Sequence, residues 1–369
     1  MALAKTINEE QISTLLAEWV RRRFPDATDA RVGDLVLPKL NGKSALSVMF
    51  EALCSQHGVE HRERLVARIA PRMGIFPDYD FAREGKIMNA LAQHTSIPVP
   101  RVLSAGLEEG LDQPVMVMER REGRVPPDDP PVGQEGWVLD LEPETQSELV
   151  DTGLRIIAAI HDVDVEALGL TGLDRPQYGA TPVDQLFGYW ERYYAWAADG
   201  LRDEIIDAAF AWARDNRPDD EGPCVLNWGD ARLGNLMFGP DLQVTAVMDW
   251  EMATLGNPGL DLGWYLFSDR FQSEGCNVSL PPGFPSAQET IARYERLSGR
   301  TLTNMDYWMV WGGIRGTLIM MRIAHVLIES GALPADSQLR VGNAANWLLA
   351  DILDLPKPTI HAVGLGTRS

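Results

Sequence analysis

Residues 224–251, CVLNWGDARLGNLMFGPDLQVTAVMDWE, constrain this chain more than any other stretch. A short apolar run, Cys224-Val225-Leu226, leads into a polar loop carrying Asp230, Arg232 and Asn235. Leu236-Met237-Phe238 reads as a strand, Gly239-Pro240-Asp241 as a turn, and residues 244–248 as a second strand ending at Asp249. Gly and Pro beside Asp, between two apolar runs, signal a hairpin. With the turn near Pro240 and Asp241, Asn235 falls across from the residues just before Asp249, and directly opposed residues on paired strands sit about 5 Å apart. An amide and a carboxylate then converge at the open end of the hairpin, with Asp230 on the loop beside them. Any one of the three suits an ordinary turn, because Asp and Asn favour turns. Together they describe a cation-binding pocket with a spare carboxylate.

Phosphoryl transfer needs such a set. One carboxylate orients the acceptor hydroxyl and takes its proton, while a carboxylate and an Asn carbonyl hold Mg²⁺ against nucleotide phosphates. The order Asp-x-x-x-x-Asn, hairpin, Asp matches the protein-kinase catalytic loop and its metal aspartate. Trp228-Gly229-Asp230-Ala231-Arg232-Leu233-Gly234-Asn235, then Val247-Met248-Asp249-Trp250-Glu251 and Leu255-Gly256-Asn257-Pro258-Gly259-Leu260-Asp261-Leu262, resembles the aminoglycoside phosphotransferase family of kinase-like enzymes. The branch it is most similar to is that of the kinase-like domains fused to acyl-CoA dehydrogenases. The resemblance covers about residues 30–300 and is most specific over 224–262.

The resemblance implies an α+β, protein-kinase-like two-lobed fold. Residues 1–120 would form a small antiparallel-sheet N-lobe and residues 121–369 a larger, mainly helical C-lobe, with ATP or GTP and Mg²⁺ in the cleft. It implies Asp230 as the catalytic carboxylate, Asn235 and Asp249 as metal ligands, Asp261 as support for the loop, and a small-molecule hydroxyl as acceptor. Arg232 is open to two readings: it neutralises transition-state charge or holds an anionic acceptor, or it pairs with Glu251. Most of the family has His where Trp228 stands, so Trp228 replaces it as a packing piece, or the chain is a nucleotide-binding scaffold without turnover. For the acceptor, aminoglycosides suit an acidic protein, whereas the acyl-CoA dehydrogenase kinship points to hydroxyacyl-CoA or similar metabolites.

The formal net charge of −20 weighs against nucleic acid, whose affinity comes from Lys and Arg neutralising phosphates, and against anionic membranes. The same charge also serves plain solubility. Three widely spaced cysteines, Cys54, Cys224 and Cys276, form no C-x-x-C and fit a reducing cytoplasm. Glu9 and Glu10 arrive before any signal-peptide core. Residues 307–328 are apolar but broken by Arg315, Arg322 and His325, which predicts a buried helix rather than a membrane span. The sequence defines no oligomeric state.

Along the chain, residues 8–24 read as a helix with Ile12, Leu15, Leu16 and Trp19 on one stripe, followed by a strand over 35–40. Asn41-Gly42-Lys43-Ser44 is a tight turn that lacks the first Gly of a P-loop. By family position it resembles the loop over the nucleotide phosphates, with Ser44 a contact; a plain hairpin turn suits it equally. Strands over 47–54 and 64–70 flank a polar loop, 55–63. That loop holds a formal H-x-x-E-H match, His57 to His61, which binds metal only on a helix. A helix from the cap Asp80 to Gln93 carries Glu84 on its apolar stripe with Phe81, Ile87, Met88 and Leu91. A carboxylate there needs a cationic partner. Arg68 stands where kinases place the phosphate-positioning Lys; a purely structural ion pair is the plainer alternative.

Residues 99–107 and 114–119 read as strands, and 118–123 resembles the kinase hinge, whose backbone at Met118 and Glu119 would meet adenine. The proline-rich run 125–136 excludes regular structure. Helices follow over 144–161, ending at a structural His161, then 184–196, 203–214, 261–267, 286–297, 304–328 and 336–353.

Overall fold

The computed structural model describes residues 9–37, 44–108 and 113–359. Helix α1 (Glu9–Arg23) buries Ile12, Leu15, Leu16, Trp19 and Val20. This stripe packs on one face of a five-stranded sheet built from β1 (Arg31–Val36), β2 (Leu46–Gln56), β3 (Val59–Ile69), β4 (Val102–Glu108) and β5 (Gln113–Glu119). The strand order is β1-β2-β3-β5-β4, and every neighbouring pair is antiparallel. Helix α2 (Phe81–His94) is capped by Asp80, whose side chain accepts from Arg83 N at 2.9 Å. The period-2 alternation of β5 separates the two sides of the sheet. Val115 and Val117 join the α1 cluster, while Met116 joins the core that contains Ile87, Met88 and Leu91 of α2.

Three sequence expectations shift here. The first strand lies at Arg31–Val36 rather than 35–40, and residues 38–43 are outside the described residues. The fourth strand starts at Val102 rather than 99, because Pro98 and Pro100 cannot donate to a ladder. The expected loop 55–63 is mostly strand. Pairing continues out to Gln56 opposite Val59, leaving only His57 (φ 54°) and Gly58 (φ 80°) in the turn. Two positive φ values match the twist of a two-residue hairpin. His57 and His61 therefore share no helical face, in keeping with rejection of a metalloprotease site.

The remainder is mainly helical: α3 (Pro143–His161), α4 (Pro182–Ala198), α5 (Glu204–Asp215), α6 (Gly259–Gln272), α7 (Ala287–Ser298), α8 (Met305–Glu329) and α9 (Ala344–Ile352). Between α5 and α6 lie four short strands, β6 (Val225–Asn227), β7 (Leu236–Phe238), β8 (Val244–Val247) and β9 (Thr254–Gly256), paired as β6–β9 and β7–β8. The expected helix 336–353 is shorter. After Gly342, Asn343 caps a new start, its side chain accepting from Ala345 N and Asn346 N. Helices α6 and α8 approach closely: a Cβ on Gly263 would stand 2.2 Å from the Trp308 carbonyl oxygen. Most of α8 is buried, and among the described residues no helix is long and apolar enough to cross a membrane.

Candidate active site

The β7–β8 hairpin forms as its turn residues predict, with Leu236 opposite Val247. Met248 N donates to the Asn235 carbonyl at 3.0 Å, so the chain reaches Asp249 directly beside Asn235. Asp249 adopts φ 55°, a left-handed conformation that Asp tolerates better than most residues.

The loop before β7 is clamped from beneath. Asp261, buried at the start of α6, accepts from Trp228 N and Gly229 N at 2.8 Å each, and from His161 at 3.0 Å. The other ring nitrogen of His161 contacts the Tyr294 hydroxyl at 2.6 Å. His161 is thus a core residue and Asp261 a loop support. Gly229 has φ 92°, and a Cβ there would meet the Met252 carbonyl oxygen at 2.2 Å, so only glycine fits. Trp228 is fully buried, donates from Nε1 to Met248 O at 2.8 Å and packs against Trp250 at 6.0 Å between ring centroids. It ties the loop to the end of the hairpin, as a packing piece does.

On this platform Asp230 Oδ1 accepts from Trp264 Nε1 at 2.7 Å and Arg232 Nε at 3.0 Å, and Oδ2 from Asn235 Nδ2 at 2.6 Å. Arg232 Nη2 donates to Asn235 Oδ1 at 3.0 Å, and Nη1 pairs with Asp128 of the proline-rich loop. Of the two readings open for Arg232, the pair with Glu251 does not occur. Arg232 is held by the two aspartates, and Glu251 belongs to Arg68. That outcome was unreadable because Asp128 lies 104 residues away in sequence.

Arg68 and Glu84 meet as the apolar stripe required. Arg68 Nη1 donates to Glu84 Oε1 at 2.5 Å, with both side chains buried. Arg68 Nη2 also reaches Asp249 Oδ1 at 3.1 Å and Glu251 Oε2 at 3.4 Å. Burial opposes the Arg68 charge, but Glu84, Asp249 and Glu251 together hold its pKa above the ordinary value. Burial, with repulsion from Asp249 and Glu84 outweighing Arg68, pushes the Glu251 carboxyl up to about 8.

Ser44 Oγ donates to Glu251 Oε2 at 2.6 Å, which ties it to this cluster; the rest of its turn, 41–43, is outside the described residues. Met118 lies on β5 opposite Val66, two residues from Arg68 on β3. The Glu119 side chain pairs with Arg101 and Arg121, and the N–H groups of Glu119 and Arg120 donate to Arg101 O and Arg64 O. An adenine contact here would use other backbone atoms.

The donor set suits a hard divalent cation. Asn235 Oδ1 and the Asp249 carboxylate are oxygen donors, and Mg²⁺ is commonly held by one or two carboxylates plus phosphates. One guanidinium, Arg68, faces three carboxylates, a negative excess that a cation would balance. Glu251, Asp128, Trp264 and Arg315 are site residues that sequence reasoning did not assign. Only Glu251 had a signal, its place two residues after Asp249.

An antiparallel sheet with one buried helix, a helical part, and an acidic catalytic-type loop beside a paired Arg and Glu define a protein-kinase-like fold. Residues 55–297 match the model of the phosphotransferase enzyme family, and the chain belongs to that family. Among curated proteins it is similar to human acyl-CoA dehydrogenase family member 11, 29% identical over 255 residues, covering 66% of this chain and 31% of that protein. It is likewise similar to mouse acyl-CoA dehydrogenase family member 10, 29% identical over 289 residues, 74% of this chain and 26% of that protein. The chain thus spans about a third or less of the length of such relatives. Among solved structures, a Ralstonia eutropha protein described as a candidate aminoglycoside phosphotransferase superposes with a TM-score of 0.64 at 23% identity, covering 92% of this chain and 95% of that one. Aminoglycoside phosphotransferase APH(4)-Ia, in a ternary complex with ADP and hygromycin B, gives 0.56 at 17% identity, with 95% and 99% covered. These last two likenesses show the fold.

Proposed function

We propose that this chain transfers the γ-phosphoryl group of ATP, with Mg²⁺, directly to the hydroxyl of a small-molecule acceptor. One arrangement carries the reading: Asp230, Asn235 and Asp249 gather at the mouth of the β7–β8 hairpin, facing the Arg68–Glu84 pair. Asp230 would orient the acceptor hydroxyl and take its proton, and its Oδ1 is already fixed by Trp264 and Arg232. Asn235 and Asp249 would hold Mg²⁺, which supplies charge neutralisation for the phosphates when bound. Arg68, oriented by Glu84, would face the phosphates as a cation that stays charged. Ser44 would approach the phosphates from the bend just before β2, and Met118 and Glu119 the base. In this division residues 1–120 handle the nucleotide and residues 121–369 the acceptor and chemistry.

The reading requires Arg232 to leave Asn235 Oδ1 and Arg68 to loosen from Asp249, since each cation now covers a prospective metal ligand. The structural role of Trp228 favours an active loop over a silent scaffold, because the segment it braces is still fastened by Asp261. The test is Mg·ATP-dependent turnover in Asp249→Ala, expected to fall on the order of 10³-fold. Wild-type rates in that variant would refute the assignment.

A further inference from the structure

Beside the Asp230 loop lies a cavity of about 580 Å³, counting its open mouth, whose walls include Arg175, Tyr189, Trp190, Glu251, Trp308 and Arg315. The cavity adjoins the chemistry. Arg315 donates to the carbonyl of Gly229, the residue before Asp230, and lies 4.7 Å over the ring of Trp264, which itself binds Asp230. Arg83 stands at the rim, donating to the carbonyl of the wall residue Ala253.

Its electrostatics run against those of the chain. Among the described residues, no carboxylate forms an ion pair within 4.0 Å with Arg83, Arg175 or Arg315. Arg83 Nε, Arg175 Nε, and Arg315 Nε and Nη1 are buried without a hydrogen-bond partner. Arg315 is only 2% exposed, so its two free donors have no recourse to bulk water. The one acid in the wall, Glu251, is committed elsewhere, its Oε2 accepting from Ser44 and Arg68. Burial lowers the Arg315 pKa to about 10, and burial with repulsion from Arg175 does the same to Arg83, which is how uncompensated cations behave. Aromatic faces compensate part of the charge, with Arg175 4.8 Å over Tyr189. They accept no N–H of the guanidinium plane, and a forked, planar donor set matches a carboxylate or phosphate.

We propose that the acceptor alcohol carries a carboxylate or phosphate group, held in this cavity by Arg175 and Arg315 while its hydroxyl meets Asp230. The inference rests on the phosphoryl-transfer reading above and deepens it. In the reaction the bond from the γ-phosphorus to the β,γ-bridging oxygen breaks, and a bond from that phosphorus to the acceptor oxygen forms. The hydroxyl proton passes to Asp230, and ADP leaves. A polycationic acceptor would meet the guanidinium groups with like charge.

Calorimetric titration in saturating Mg·AMP-PNP tests this with four sets of compounds: short hydroxy carboxylates, polyol monophosphates, the matching esters and polyols without charge, and hygromycin B. One anionic set is expected to bind, which tells carboxylate from phosphate, and its uncharged counterparts should bind at least ~10-fold more weakly. Arg175→Gln should weaken the anion about 10-fold or more. Arg315→Lys, which keeps the charge should loss of Arg315 prevent folding, should weaken it less. With Mg·ATP, Arg175→Gln should raise KM for the anionic acceptor, whereas Asp230→Asn should lower kcat. Binding confined to uncharged or cationic compounds, no binding in any set, or anion binding untouched by Arg175→Gln would overturn the proposal. Anion binding that Arg175→Gln abolishes supports the site even where no phosphorylated product forms; missing product would then overturn the phosphoryl-transfer reading alone.

Discussion

The two sides of this cleft carry opposite charge imbalances. Around Arg68 a single guanidinium meets Glu84, Asp249 and Glu251, whereas Arg175 and Arg315 line their cavity without a carboxylate partner among the described residues. Buried charge left unpaired is costly, so each side is incomplete in its own way. The first calls for a cation and the second for an anion, as a reaction joining Mg·ATP to an acidic alcohol would need. Net charge alone points the other way: −20 over the whole chain suits a cationic acceptor, and the proposal of an anionic one rests on the local arrangement instead.

After the loss of turnover in Asp249→Ala, the largest effect should come from Arg68→Ala, which leaves Glu84 and Asp249 without their shared cation beside the Glu251 carboxyl. It should cost about 3–5 kcal/mol in denaturant unfolding at neutral pH, and less at acidic pH, where the carboxylates protonate. An equal cost at both would break the contrast between the two sides. Asp261→Asn comes next. A carboxamide offers one acceptor oxygen where Trp228 N and Gly229 N use two, so one buried N–H loses its partner, at about 1–3 kcal/mol, and kcat falls as the loop shifts.

Glu251→Gln is the mildest and sharpens the acidic side. The folded pKa of Glu251, about 8, lies above its ordinary 4.5, so the folded protein binds this proton more readily than the unfolded chain. Its favourable contribution is complete below about 4.5 and lost as pH rises through about 8. Melting temperature across that window should therefore fall less steeply in Glu251→Gln than in the wild type. An unchanged slope would place the titration elsewhere, and Asp269, raised to about 7 by burial, is the first alternative.

Much of the fold was legible because its signals are local. Gly239-Pro240-Asp241 between apolar runs named the hairpin, the stripe on α2 demanded a partner for Glu84, and the 228–235 loop carried Asp230 and Asn235 in fixed order. Pairing over distance was not legible. Arg232 joins Asp128 across 104 residues, and Arg68 reaches Glu251 across 183. Neither contact leaves a periodic trace. Arg315 was visible only as an interruption of an apolar helix, and nothing in its neighbours tells a cavity wall from a structural ion. The tight turn at His57 and Gly58 was missed because polar residues of an exposed hairpin read as loop.

The most direct measurement is a crystal structure with AMP-PNP and Mn²⁺ in place of Mg²⁺, read by anomalous scattering. The expected result is a metal peak coordinated by Asn235 Oδ1 and the Asp249 carboxylate, with Arg232 withdrawn from Asn235. A nucleotide bound in the cleft with its metal held by neither residue would contradict it.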